Sequence, residues 1–139
     1  MAVPANENRP KIPESEKITI NLGFVDLGQI DLLVSDGFYA NRTDFIRTAI
    51  RNQLGRHDEV VRKAAARKQL DLGLRHFSRA DLEALRDAGQ TVNIHVLGLA
   101  SIASDVSPQL ALQTIESITV LGALHASPAV KAALGERIR

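Results

Sequence analysis

Six consecutive residues, Lys17-Ile18-Thr19-Ile20-Asn21-Leu22, alternate without a break between polar and apolar. That is the period of a β-strand, with Lys17, Thr19 and Asn21 on one face and Ile18, Ile20 and Leu22 on the other. A lone strand of this length is not stable, because its amides and carbonyls need partners. No second strand follows at hairpin distance. The available partner is the same segment of a second copy, which would give a two-stranded ribbon with one apolar face and one face of hydrogen-bonding side chains.

From Asp26 the period changes. Val25, Leu27, Ile30, Leu33 and Val34 recur at helical spacing up to Gly37, a C-terminal helix signal. The turn Gly37-Phe38-Tyr39-Ala40 leads to Asn41, a good N-cap. Asp44 follows three residues later, where a carboxylate completes a capping-box pattern and suits the helix dipole. Phe45, Ile46, Ala49, Ile50 and Leu54 mark the apolar face of this second helix. It is expected either to break near Gly55 or to run on through Ala64–Ala66. Residues 58–70, with Arg62, Lys63, Arg67 and Lys68, read as a solvated linker helix.

Charge is unevenly distributed: residues 91–139 hold only six of the thirty-three charged side chains. This poorly charged third contains an internal echo, Asn93-Ile94-His95-Val96-Leu97-Gly98 and Ser117-Ile118-Thr119-Val120-Leu121-Gly122, offset by 24 residues. Each copy is followed by a Ser-Pro pair, Ser107-Pro108 and Ser127-Pro128, suited to cap and start a helix. Upstream, Leu70-Asp71-Leu72-Gly73-Leu74 alternates like a strand, and Ser78 with Asp81 opens a short helix closed by Gly89. Repeated strands rich in Val, Ile, Ala and Gly cannot bury both faces alone, so self-association is expected here.

The apolar content of 45% is that of a folded protein, and a net charge of +1 leaves room for a local basic patch. There is no cysteine, which suits a reducing compartment and excludes thiolate metal sites. His57, His76, His95 and His125 are too scattered for a metal site within one chain, so no metal and no cofactor is expected. No nucleophile elbow, phosphate-binding loop or paired-carboxylate pattern is present, and no enzyme activity is expected. No apolar run is long enough to cross a membrane.

Residues 17–54 resemble the ribbon-helix-helix family of DNA-binding proteins. The resemblance is carried by the strand at 17–22, by the helix leading to Gly37-Phe38-Tyr39, and by Ala40-Asn41-Arg42-Thr43-Asp44-Phe45-Ile46-Arg47-Thr48-Ala49-Ile50-Arg51. It implies an N-terminal intertwined ribbon-helix-helix dimer, placed at 17–57; with the repeated strands that follow, the expected fold class is α+β, that dimer being followed by a small β-rich or mixed α/β assembly domain at 70–139. A flexible arm at 1–16 and a linker helix at 58–69 complete the expected organisation. The ribbon would enter the major groove of double-stranded DNA, with Lys17, Thr19 and Asn21 at the base edges. Asn41, Arg42 and Thr43, at the start of the second helix, would clamp a phosphate, and Asp44 would turn toward capping. Arg9 and Lys11 on the arm could add phosphate contacts. Arg47 and Arg51 are expected to be structural, pairing with Asp31 or Asp36 across the dimer.

The expected function is that of a sequence-specific transcriptional regulator, a repressor, soluble in the cytoplasm and associated with the nucleoid. It would act as a homodimer that builds higher homo-oligomers through its C-terminal region. Two rival readings are an antitoxin with a toxin partner and a DNA-tethered scaffold or filament. The apolar C-terminal third differs from the charged tail that antitoxins fold on their targets.

Overall fold

A computed structural model describes residues 15–139. The expected arm, with Arg9 and Lys11, lies almost wholly outside these residues. The chain divides into two compact units, residues 16–64 and 65–139.

In the first unit, Lys17–Leu22 forms no ladder, and no hydrogen bond joins it to the rest of the described chain. Helix α1 spans Phe24–Ser35. It ends in a Schellman turn: Gly37, at φ +85°, donates to Val34 O and Phe38 donates to Leu33 O. Helix α2, Arg42–Arg56, starts at Asn41. Gly55 lies inside it. The break comes at His57, so the second helix does not run on to Ala64–Ala66. A separate helix α3, Asp58–Arg67, follows and is held along its surface by the i,i+4 pairs Asp58–Arg62 and Glu59–Lys63. It stops short of residue 70 because Gln69 turns the chain at φ +55°.

The second unit is a repeating βα array: β1 (Asp71–Phe77), α4 (Arg79–Asp87), β2 (Val92–Ile102), α5 (Pro108–Thr114), β3 (Ile115–His125) and α6 (Pro128–Leu134). The strands lie in sequence order, β1-β2-β3, and all are parallel. Parallel neighbours require crossovers, and the helices supply them. Each helix has the start its sequence specifies. Ser78 and Asp81 form a reciprocal capping box on α4, while Ser107 and Ser127 accept from the Leu110 and Val130 amides ahead of α5 and α6, each with Pro in its first turn.

The 24-residue echo is the strand register itself, pairing Asn93 with Ser117 and Gly98 with Gly122. A third copy, Leu72-Gly73-Leu74, joins it at an offset of 25, pairing Gly73 with Gly98. The three glycines form one row at φ +126°, +140° and +123°. A β-carbon on Gly98 would lie 2.3 Å from Gly73 O, and one on Gly122 would lie 2.0 Å from Gly98 O, so no other residue fits at Gly98 or Gly122.

The core lies on one face of this sheet. Phe77, Ile94, Val96, Ala100, Ile102 and Ile118 pack against Leu82, Leu110, Ala111, Val130 and Leu134 of the helices. The short helices that follow the strands pack on this face within the chain. By the period of two, the opposite face carries the rows Leu72–Leu97–Leu121 and Leu74–Leu99–Ala123. Leu72, Leu74 and Leu121 are 68%, 65% and 50% exposed.

Candidate nucleic-acid interface

The segment Lys17–Leu22 is exposed on both of its sides. Lys17, Thr19 and Asn21 face solvent, but so do Ile18 at 76% and Ile20 at 60%. Nearby, Phe24 is 92% exposed, and Val25, Leu32, Phe38, Ile50 and Leu54 are bare as well. Ile30 is the one buried apolar side chain between residues 16 and 64. At roughly 25 cal/mol per Å² of apolar surface, leaving this many large side chains in water forfeits much of what could hold the unit together. A single copy of the unit therefore has half a core.

The start of α2 is built in detail. Asn41 Oδ1 accepts from the Asp44 amide at 2.8 Å, and Asp44 Oδ2 accepts from the Ala40 amide at 2.9 Å. The return bond reaches the residue before the N-cap, so the expected capping box closes one residue early. The Asp44 carboxylate is thereby turned into the cap. Tyr39 meets the Phe45 ring edge-on, with centroids 5.0 Å apart, and fixes the angle at which the chain enters the helix. The Arg42 and Thr43 amides have no hydrogen-bond partner among the described residues. They lie in the first turn, where a helix has donors to spare and a positive dipole end.

Arg42 differs from its neighbours. Its guanidinium makes a two-pronged bond to Asp31 of the same chain, Nε to Oδ1 and Nη2 to Oδ2, both 2.8 Å. This bond, and then the opposite charge, hold the Asp31 carboxyl below its ordinary range and push Arg42 up. The sequence pattern pairs Arg47 or Arg51 with Asp31 or Asp36 across a dimer. Within the chain it is Arg42 that takes Asp31, tying α2 to α1. The fork geometry of guanidinium and carboxylate favours this bond wherever the two come within reach.

His76 and His125 flank Ser101 in one cross-strand row, while His57 lies in the first unit and His95 elsewhere on β2. His57 sits beside Gln53, and His76 shares a 2.6 Å hydrogen bond with Ser101 on the open sheet face. No group of three or more potential metal ligands comes together among the described residues. Nor is any helix among them long and apolar enough to cross a membrane.

The sequence pattern of the Ribbon-Helix-Helix transcriptional regulator family matches residues 13–131. The chain belongs to that family, whose members bind DNA and usually dimerise. The match runs well past the residues 17–54 that carry the motif resemblance, so the βα array belongs to the family pattern too. No curated protein and no solved structure matches the chain.

Proposed function

We propose that this chain is a sequence-specific transcriptional repressor that binds double-stranded DNA as an intertwined homodimer. The observation that carries this reading is the half-built core of residues 16–64. Pairing two copies of Lys17–Leu22 would cover Ile18, Ile20 and Leu22 while leaving Lys17, Thr19 and Asn21 outward. A ribbon of this kind fits the major groove. Lys17 would donate to guanine O6 and N7, Asn21 would pair in two-pronged fashion with an adenine edge, and Thr19 would offer its hydroxyl or methyl group. Asn41, Arg42 and Thr43 would clamp a phosphate at the start of α2. The Arg42 and Thr43 amides would act as donors, and the Arg42 side chain would hold the helix in place through Asp31.

The C-terminal unit would join dimers into a higher homo-oligomer, raising avidity for tandem sites with no new base contact. A packed βα array supports this reading over an antitoxin with a toxin-binding tail. The open leucine face keeps a scaffold role as the second reading. A regulator of this family would act without catalysis, in the cytoplasm at the nucleoid.

Selection of bound DNA sequences at two salt concentrations tests the proposal. The expected result is a palindromic site whose half-site spacing matches a two-fold dimer, with affinity falling as salt rises. Asn21→Ala should weaken binding to the selected site about tenfold or more, from the roughly 1–3 kcal/mol of one base contact, with the dimer still folded. Unchanged affinity in that variant would remove Asn21 from the base readers. Enrichment of no sequence at either salt would end the sequence-specific reading.

A further inference from the structure

We infer that the C-terminal unit joins a second copy by continuing its own sheet, β3 of one chain taking β1 of the next in parallel, with Gly73 of the second copy opposite Gly122. This rests on the proposal that the C-terminal region assembles dimers, and names the surface that does it.

The two outer strands present complementary edges. Every residue of β1 from Asp71 to His76 is exposed. At β3 the start of the edge is taken: Ile138 bridges Ile118 in parallel, and the Arg139 amide donates to Ile118 O at 2.8 Å. Beyond that bridge no described residue pairs with the edge from Val120 onward. The internal register shows what would fit. β1 pairs with β2 from Asp71 opposite Val96, with the glycines aligned. Applied to β3, the same alignment sets Asp71 of a second copy opposite Val120 and His76 opposite His125. The incoming strand therefore begins two residues past the Ile138 bridge and fills the length that the bridge leaves free.

Steric selection comes from the glycine row. Within the sheet, each strand packs its glycine onto the preceding glycine's carbonyl, so closely that a β-carbon would be driven to 2.0–2.3 Å from it. A strand accepted at the β3 edge must likewise carry glycine opposite Gly122. β1 does, and among the described residues of its own chain the β-carbon position of Gly73 meets nothing within 4 Å. Gly73 thus has the row's left-handed conformation and lacks the neighbour that requires a glycine there. A second copy's Gly122 carbonyl supplies that neighbour. The same alignment extends the row Leu72–Leu97–Leu121 across the joint, setting Leu121 beside Leu72 of the next chain. The contact is head-to-tail, so it propagates or closes a ring instead of stopping at a pair.

Light scattering and sedimentation of the full-length chain without DNA test this. The parent should reach at least about twice the dimer mass as concentration rises, since joining two dimers is the smallest step. Gly73→Ala should hold at the dimer. Because alanine strains the +126° backbone, an independent set of variants uses exposed positions. Leu72→Lys alone and Leu121→Glu alone should each hold at the dimer. Leu72→Lys with Leu121→Glu should recover the larger species through a cross-strand charge pair, and Leu72→Lys with Leu121→Lys should not. Leu97 separates residues 72 and 121 within one chain, so recovery has to come from the joint between copies. A parent that stays dimeric at all concentrations would overturn both this inference and C-terminal assembly. A parent that grows, with Gly73→Ala growing alike or with the two double variants indistinguishable, would overturn the edge alone. Neither result touches DNA reading, which the sequence selection tests separately.

Discussion

The two halves of this molecule bury their side chains to very different extents. Residues 65–139 enclose a core in which Leu82, Ile94, Ile115, Ile118 and Val130 are all but inaccessible to water, while residues 16–64 bury Ile30 and leave Ile18, Ile20, Phe24, Val25 and Leu54 bare. Both halves are rich in apolar residues at regular spacing. The difference lies in where the complementary surface comes from. In the βα array the helices between and after the strands pack on one sheet face around Ile94, Val96 and Ile118, so a core closes within the chain. In residues 16–64 the segment Lys17–Leu22 has no covering element among the described residues, and the partner proposed for it is the same segment of a second copy. A sequence pattern can therefore specify a finished fold or half of one, and the period of the apolar residues alone does not distinguish them.

The comparison breaks most sharply at the core of the array. Ile118→Ala removes a fully buried side chain between Ile94 and the helices and should cost about 2–5 kcal/mol, read from the unfolding transition of the C-terminal unit. That loss should be independent of protein concentration. The N-terminal unit should behave oppositely: its stability is tied to dimerisation, so each tenfold dilution should remove about 1.4 kcal/mol per dimer from its transition. Two transitions, one moving with concentration and one fixed, would sharpen the contrast. Two fixed transitions would mean that the N-terminal unit is complete in a single chain.

Much of this architecture is legible in the residues, and the exceptions have physical causes. The Schellman turn at Gly37, the Asn41 cap, the Ser78–Asp81 box and the serine-proline helix starts could all be read, because local hydrogen bonding dictates each of them. The echo at 24 residues announced the register of β2 and β3. The third copy is not legible in the residues, because Leu72-Gly73-Leu74 shares only leucine and glycine with the others and sits at 25, and the glycine row acquires meaning only when strands stack. Which sheet face α5 and α6 cover is not legible, because their serine-proline starts mark where they begin but seven residues are too few for a periodicity that shows which side packs. The bond between Arg42 and Asp31 was missed because nothing in the spacing of residues 31 and 42 reveals how α1 and α2 cross.

Next in size are the caps, where both halves use the same chemistry to different ends. Ser78→Ala and Asn41→Ala each remove a side-chain acceptor for a first-turn amide, and each should cost about 1 kcal/mol of stability. Only Asn41→Ala should also weaken DNA binding, because only that helix start is proposed to hold a phosphate. Acid gives a second view of the α4 cap. The Ser78 amide, then its hydroxyl, hold the Asp81 carboxyl below its ordinary value of about 3.9. The contribution of this cap is thus fully present above about pH 4 and is lost as pH falls through the lowered folded value. A Ser78→Ala variant should show a shallower acid dependence of C-terminal stability than the parent.

The smallest effect belongs to Arg42, and it separates a backbone clamp from a side-chain clamp. Its guanidinium is about half exposed on the surface and tied to Asp31 in two places. An exposed pair of this kind is screened by salt, so Arg42→Ala should lower N-terminal stability slightly at low salt and not measurably at high salt. If the phosphate is held by the Arg42 and Thr43 amides, those donors survive the substitution. The slope of log affinity against log salt should then stay at the parent value. A side chain that left Asp31 for the phosphate would instead take about 0.9 from that slope for each protomer lost. Asp31→Asn makes the converse test: it weakens the tether without touching the amides, so a steeper salt slope in that variant would mean that the freed guanidinium had found the DNA backbone. With amides as the clamp, both variants should bind with the parent's slope, and the two-pronged bond between α1 and α2 is then a brace that keeps the helix start aimed.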